Sequence, residues 1–270
     1  MRISACIVTS LRVDLTPAIR SLLAQFDEII VVGHAVASST EMAGFDCWKT
    51  QSDSDKVKLL TCEQPQQSYK RMMAFESTEA DVIYFIDDDA IAKEDAYQQI
   101  ESVFSSDEIG LITGPSLLPA EASLWQRVAQ MAVANNPISG PRYGRHAFDD
   151  DVISSRVIGC NMAVRKDALS GFSPEVLPSY GEEWALAEYV KAQGYRLAYN
   201  PNQIVYHAPH GFMAHSRQVY RWGKTSTITG AGNIDPANVL YPLVIVWFGL
   251  LWGTGRLVAR RSNKNRQGVR

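Results

Sequence analysis

The chain opens on Ile3–Ser10, a mostly apolar run without clean alternation, the pattern of a β-strand buried on both faces. Thr16–Gln25 spaces Ile19, Leu22 and Leu23 along one stripe, which predicts an amphipathic helix. Glu28–Val32 predicts a second strand, and residues 35–54, rich in Ser, Asp and Gly, predict a loop. Val57–Cys62 predicts a third strand and Gln67–Glu79 a second helix. Asp81–Ile86 is a fourth apolar run, leading straight into Asp87, Asp88 and Asp89, and a helix is predicted over Glu94–Phe104. This β-α-β-α alternation predicts a largely parallel sheet with right-handed crossovers. Ligands bind beyond the carboxyl ends of such strands, which is where the three aspartates fall.

The second half is less regular. Ile109–Gly114 predicts a strand, and residues 124–151 mix a helical stretch with Pro, Gly and acids, predicting a mobile loop over the site. Val157–Arg165 alternates in the manner of a half-buried strand. Glu182–Gln193 and His215–Trp222 predict helices, and Tyr195–Tyr199 and Ile204–His207 short strands. Residues 239–255 carry no charge, and seventeen residues is the short limit for a bilayer span. Pro242, three glycines and two tryptophans within them suit an interfacial or re-entrant segment as well as a span. The expected division is a catalytic body over 1–230 and a hydrophobic segment with a basic tail over 231–270.

Charge sharpens that division. The net charge is -3, but residues 256–270 hold six basic residues and no acid, leaving 20 basic against 29 acidic side chains, or -9, over 1–255. An acidic body excludes nucleic acid as a partner, since a phosphate backbone needs a basic face. The basic tail suits an anionic membrane surface. A single span would carry that tail away from a cytosolic body, against the tendency of Lys and Arg to stay inside. The expected placement is therefore on or in the cytoplasmic leaflet, with a buried helix at a subunit interface as the alternative. Four scattered cysteines, without a CxxC pair, argue against a zinc ribbon or disulfide framework and for reduced thiols. The apolar run near the N-terminus is too short for a signal peptide, so export is not expected.

Three adjacent carboxylates repel one another unless a cation screens them. Mg²⁺ and Mn²⁺ bind oxygen, and Mg²⁺ commonly takes one or two carboxylates plus substrate phosphates. Asp87 and Asp89 can reach one cation from a turning backbone, while Asp88 supports a ribose or the loop. Glu182 and Glu183 stand at a helix start, where backbone N–H groups hold a carboxylate.

Together these pieces resemble the family-2 glycosyltransferases with the GT-A fold, an α/β Rossmann-like mixed sheet flanked by helices, over Ile3 to about Trp222. Thr9 ends a strand like the family's nucleotide-meeting one. Arg71 stands where the family places an arginine near base and diphosphate. Asp87-Asp88-Asp89 resembles its metal-binding acidic motif. Ile158–Arg165, with Asn161, resembles its acceptor-side strand, and Gly181-Glu182-Glu183 the motif that supplies the catalytic base. The resemblance implies a hexosyltransferase that uses a divalent metal and Glu183 as base, with Glu182 beside it, on a nucleotide-sugar and a glycan or lipid-linked acceptor. It implies His207 as a metal contact; His210 and His215 are read as structural. Gln218, Arg221 and Trp222 fit the Gln-x-x-Arg-Trp pattern of membrane-bound relatives, implying a guanidinium for the diphosphate and, with Gln218, an indole for a sugar. Gly33-His34 stands where the family usually has Asp-Asp, which leaves the donor nucleotide open. A non-catalytic membrane-attached scaffold and a sugar nucleotidyltransferase are the alternative readings. The second would want a glycine-rich loop after the first strand, where Thr9–Asp14 has no glycine.

Overall fold

The computed structural model describes residues 1–10, 13–34, 54–128, 157–173 and 182–208. Four parallel strands form one half of the main sheet: β1 (Ile3–Val8), β2 (Ile29–His34), β3 (Val57–Cys62) and β4 (Val82–Asp87). After the short β5 (Ile91–Ala92) come β6 (Ile109–Thr113), β7 (Ser116–Leu117), β8 (Asn161–Arg165), β9 (Arg196–Tyr199) and β10 (Val205–Tyr206). The seven-stranded sheet has the order β3-β2-β1-β4-β8-β6-β9, and β8 runs against both of its neighbours. The chain leaves β1 towards β2 and β3 and then returns to β4 on the other side of β1. The crevice beyond the ends of β1 and β4 is thus the switch point where ligands bind in open α/β sheets.

Among the described residues, the helices α1 (Thr16–Leu23), α2 (Gln67–Glu76), α3 (Ala96–Phe104) and α4 (Glu182–Ala192) cover the sheet. α1 has Pro17 in its first turn and Asp14 Oδ1 accepting from the Thr16 N–H at 2.9 Å, so its start is fixed locally. It buries Ala18, Ile19 and Leu22, which with Phe26, Tyr84, Ile100 and Phe104 make one core. Phe26 stacks on Tyr84 with ring centroids 5.7 Å apart. A second core lies on the opposite face, where Met72 and Ala74 of α2 and Leu186 and Val190 of α4 pack on Val8, Ile30, Phe85 and Leu111. With a core on each side, the central strands are apolar throughout, the reason β1 and β4 show no alternation.

The same burial corrects the expectation for Val157–Arg165. The strand starts only at Asn161 and is buried on both faces up to Val164, because it lies between β4 and β6. A small sheet, β5-β10-β7, has strands of two residues each; β10 falls within the strand predicted over Ile204–His207, while β5 and β7 were not read from the sequence. Among the described residues no helix is long and apolar enough to cross a membrane. The loop over 35–53, most of the expected mobile loop, the helix His215–Trp222, the segment 239–255 and the tail lie outside the described residues.

Candidate active site

The strand ends bring the acidic run, two segments of the second half and the α4 start together. β4 carries Asp87 to the carboxyl edge of the sheet, and the Ala90 N–H bonded to the Asp87 carbonyl at 3.2 Å closes a turn over Asp88 and Asp89. β8 enters from that same edge: Ile86 pairs with Asn161, so Cys160 and Gly159 emerge opposite Asp87. β5, directly after the acids, pairs antiparallel with β10, which sets His207 beside Asp89.

Each acid has its own surroundings. Asp88 accepts from Thr9 Oγ1 at 2.6 Å, which ties the ends of β1 and β4 together. Burial raises its carboxyl above the ordinary range, the Thr9 bond opposes this, and Asp87 and Asp89 add to it. Asp89 Oδ1 lies 2.9 Å from His207 Nε2. Burial opposes charge on His207, yet Asp89 and the Cys160 sulfur push it up to about 10. Asp87, Cys160 and His207 offer ligand atoms all within 4.8 Å of one another. His207 is 8% exposed, and its Nδ1 has no hydrogen-bond partner. Of the expected metal contacts, Asp87 and His207 thus stand side by side, while Asp89 is paired with His207 Nε2 and lies outside that group.

Arg71 differs from expectation. It is 3% exposed and turned inward, with Nη1 2.6 Å from Glu182 Oε1 and its ring-stacking side over Phe85, 5.7 Å from the centroid. Its Nη2 donates to the Gly159 carbonyl and to Gln67 Oε1 at 3.4 Å each. A Cβ on Gly159 would lie 2.8 Å from that nitrogen, so glycine there is what lets the guanidinium in. Burial opposes the charge on Arg71, but Glu182, Glu183 and Asp87 hold it firmly protonated. Glu183 follows on the same helix start and is not paired with Arg71. Burial, with Glu182 next to it, pushes Glu183 up to about 7 against the lowering pull of Arg71, and Asp87 adds to the rise. The site thus brings a group of side chains able to hold a cation and a carboxylate poised near neutrality into one electrostatic unit.

Asn161 has its partners within the protein. Expected on the acceptor side, it is fully buried, and both its side-chain groups are used within the protein. Its amide donates to the Pro115 carbonyl at 3.0 Å and the Gln203 carbonyl at 2.6 Å. Its oxygen accepts from Tyr84 at 3.1 Å and Gln203 at 2.9 Å. It joins β4, the turn after β6 and the approach to β10, so it positions His207 from a distance. Asn161→Ala leaves several buried groups without partners and lowers stability by about 3 kcal/mol or more, read by urea unfolding. A loss under about 1 kcal/mol with a raised acceptor KM would return it to the acceptor side.

Two residues were missed. Cys160 was read only as one face of an alternating strand. Lys70 sits beside Arg71 in α2, and its buried ammonium donates to the Thr9 carbonyl at 2.7 Å; burial lowers its pKa, with Cys62 and Asp88 opposing. A fully charged residue inside an apolar helix stripe was the available signal for Lys70. Gly181, His210, His215, Gln218, Arg221 and Trp222 lie outside the described residues.

Comparison with solved structures returns GT-A glycosyltransferases. Residues 1–349 of S. aureus TarS match with a TM-score of 0.55 and 12% identity, over 77% of this chain and 60% of that one. The mannosyltransferase PcManGT from Pyrobaculum calidifontis, in complex with GDP-Man and Mn²⁺, matches with a TM-score of 0.60 and 14% identity, over 87% and 66%. GalNAc-T7, with UDP, GalNAc and Mn²⁺, matches with a TM-score of 0.56 and 13% identity, over 77% and 44%. The chain thus spans less than two thirds of each, and identities this low speak for the fold. A search of curated protein sequences finds no match. The sequence profile of the glycosyltransferase-like family 2 matches residues 4–225, the stretch that holds Thr9, the acidic run, both glutamates and His207. The chain belongs to the glycosyltransferase-like family 2, a family of sugar-transferring enzymes.

Proposed function

We propose that this protein moves a sugar from a nucleotide-sugar donor to a glycan or membrane-associated acceptor, with inversion, using a divalent cation and Glu183 as general base. The observation that carries the reading is the Arg71–Glu182 pair. It fixes the start of α4 and leaves the neighbouring Glu183 without an ion pair among the described residues, within the influence of Asp87, and pushed up to about 7. A base with that affinity for protons takes the acceptor hydroxyl's proton near neutral pH and is itself ionised enough to do so.

Asp87, Asp89 and His207 would hold the cation, Mg²⁺ or Mn²⁺ in the simplest case. A bound divalent cation neutralises charge that builds on the leaving diphosphate. Thr9 and Lys70 set the position of Asp88 and the end of β1, where the diphosphate and ribose of the donor lie in this reading. Arg71 acts from beneath the site, holding Glu182 and biasing Glu183 and Asp87 by its charge. Glu182 serves by keeping that pair, and Glu183 touches the acceptor. We place Arg221 at the diphosphate, Gln218 and Trp222 at the acceptor, and the body at the cytoplasmic face of a membrane. The uncharged segment 239–255 and the basic tail support that placement. Polysaccharide or glycoconjugate synthesis is the setting such an acceptor implies.

The pH dependence tests the base. Only ionised Glu183 accepts a proton, so kcat/KM for donor turnover rises about tenfold per pH unit up to about pH 7 and then levels. A profile flat between about pH 5 and about pH 9 would remove Glu183 from the reaction.

A further inference from the structure

We propose that Cys160 is a thiolate ligand in the cation site, so that the site takes a borderline cation of the Zn²⁺ kind in preference to Mg²⁺. The inference rests on the cation reading above for Asp87 and His207 and adds sulfur to it. The fold puts Cys160 there: Asn161 pairs with Ile86, so the residue before β8 stands opposite the residue that ends β4. Its Sγ, an Asp87 oxygen and a His207 ring nitrogen lie within 4.8 Å of one another. One ion can bond all three at roughly 2.0–2.3 Å after small side-chain shifts. His207 supplies the second pointer: more than nine-tenths buried, it spends Nε2 on Asp89, its Nδ1 makes no well-formed hydrogen bond, and the Cys160 sulfur bears on the ring. Cys160 is 3% exposed and is a free thiol, so it faces this cluster rather than solvent or another cysteine.

The chemistry of the set decides the cation. Mg²⁺ prefers oxygen ligands alone, whereas a thiolate and an imidazole together select Zn²⁺ among common divalent ions. As the ion binds, the thiol proton and the proton on the ligating His207 nitrogen both leave to solvent; no electron is transferred. Binding therefore releases protons and tightens as pH rises.

Co²⁺, a spectroscopic stand-in for Zn²⁺, reads the ligand without any turnover. Added to the full chain, it gives a near-ultraviolet thiolate-to-cobalt charge-transfer band, which excess Zn²⁺ removes and excess Mg²⁺ does not. Cys160→Ala loses the band and weakens Zn²⁺ binding by at least about 10-fold, while Mg²⁺ affinity is unchanged. Cobalt bound without a sulfur band overturns the proposal but leaves an oxygen–nitrogen cation site standing. A band that persists in Cys160→Ala assigns the sulfur elsewhere and also overturns it. No cation bound at all overturns both this and the cation reading of the active site. Should Cys160→Ala fail to fold, zinc-edge X-ray absorption of the unaltered protein decides: sulfur at about 2.3 Å supports the proposal, and only nitrogen and oxygen at about 2.0–2.1 Å rejects it.

Discussion

Glu183→Gln abolishes sugar transfer, lowering kcat by roughly 10²–10⁴-fold, while nucleotide-sugar binding stays as in the unaltered protein. Gln keeps the size and hydrogen-bonding reach of Glu but cannot take a proton. The same change has a second consequence, in stability. Glu183 is raised from 4.5 to about 7 in the folded protein. Between those values the folded state holds a proton that the unfolded chain has lost, so stability falls as pH rises through that window. Above about pH 7 the penalty is complete. Glu183→Gln removes it, so the variant is more stable than the unaltered protein above that pH, by up to roughly 3 kcal/mol, and equal to it below about pH 4.5. Urea unfolding at the two pH values reads the difference. An inactive variant with no gain in stability at high pH would leave the base role standing but not the buried, protonated carboxyl.

Arg71→Met is expected to be the most destabilising single change at the site. The guanidinium and Glu182 are both buried, 4% and 6% exposed at their side chains, and lie 2.6 Å apart. Removing one partner leaves a buried charge uncompensated, which costs about 3–5 kcal/mol. Glu182 and Glu183 would then share one dry helix start with no cation near, so Glu183 would hold its proton to still higher pH. Arg71→Met combined with Glu182→Leu removes both charges. The pair should recover most of the lost stability, since well-packed apolar residues replace buried ion pairs at little cost. Activity should not recover, because the start of α4 has lost its anchor. Full activity in the double variant would mean that Glu183 is positioned by something else.

The parallel half of the sheet was legible because its strands are six residues each, those inside the sheet are apolar on both faces, and helices with clear stripes separate them. β3 (Val57–Cys62) has the predicted limits, and β1 and α1 differ from prediction only at their ends. The acidic run was legible for the same reason: it follows β4 without a break, so topology alone sets it at a strand end. Pairings across the chain were not legible. Nothing local to Arg71 says that it turns inward to Glu182, 111 residues away, or that Gly159 makes room for it. Asn161 resembled an acceptor contact because a polar residue in a strand beside a site can face either way; its four hydrogen bonds within the core were not readable from the sequence. Cys160 went unread because its neighbours come from the end of β4 and from beyond β10, a proximity set by strand pairing rather than by anything local to Cys160.

The central claim is cation-dependent turnover of a nucleotide-sugar at the Asp87–His207 edge. Hydrolysis or transfer from UDP-, GDP- and dTDP-sugars, measured with Mn²⁺, Mg²⁺ or Zn²⁺ and again after chelation, tests it most directly. The expected result is release of the nucleotide diphosphate from at least one donor, lost on chelation, restored by added cation, and absent in Asp87→Asn. Neither binding nor turnover of any of these donors, with every cation present and the protein folded, would contradict it.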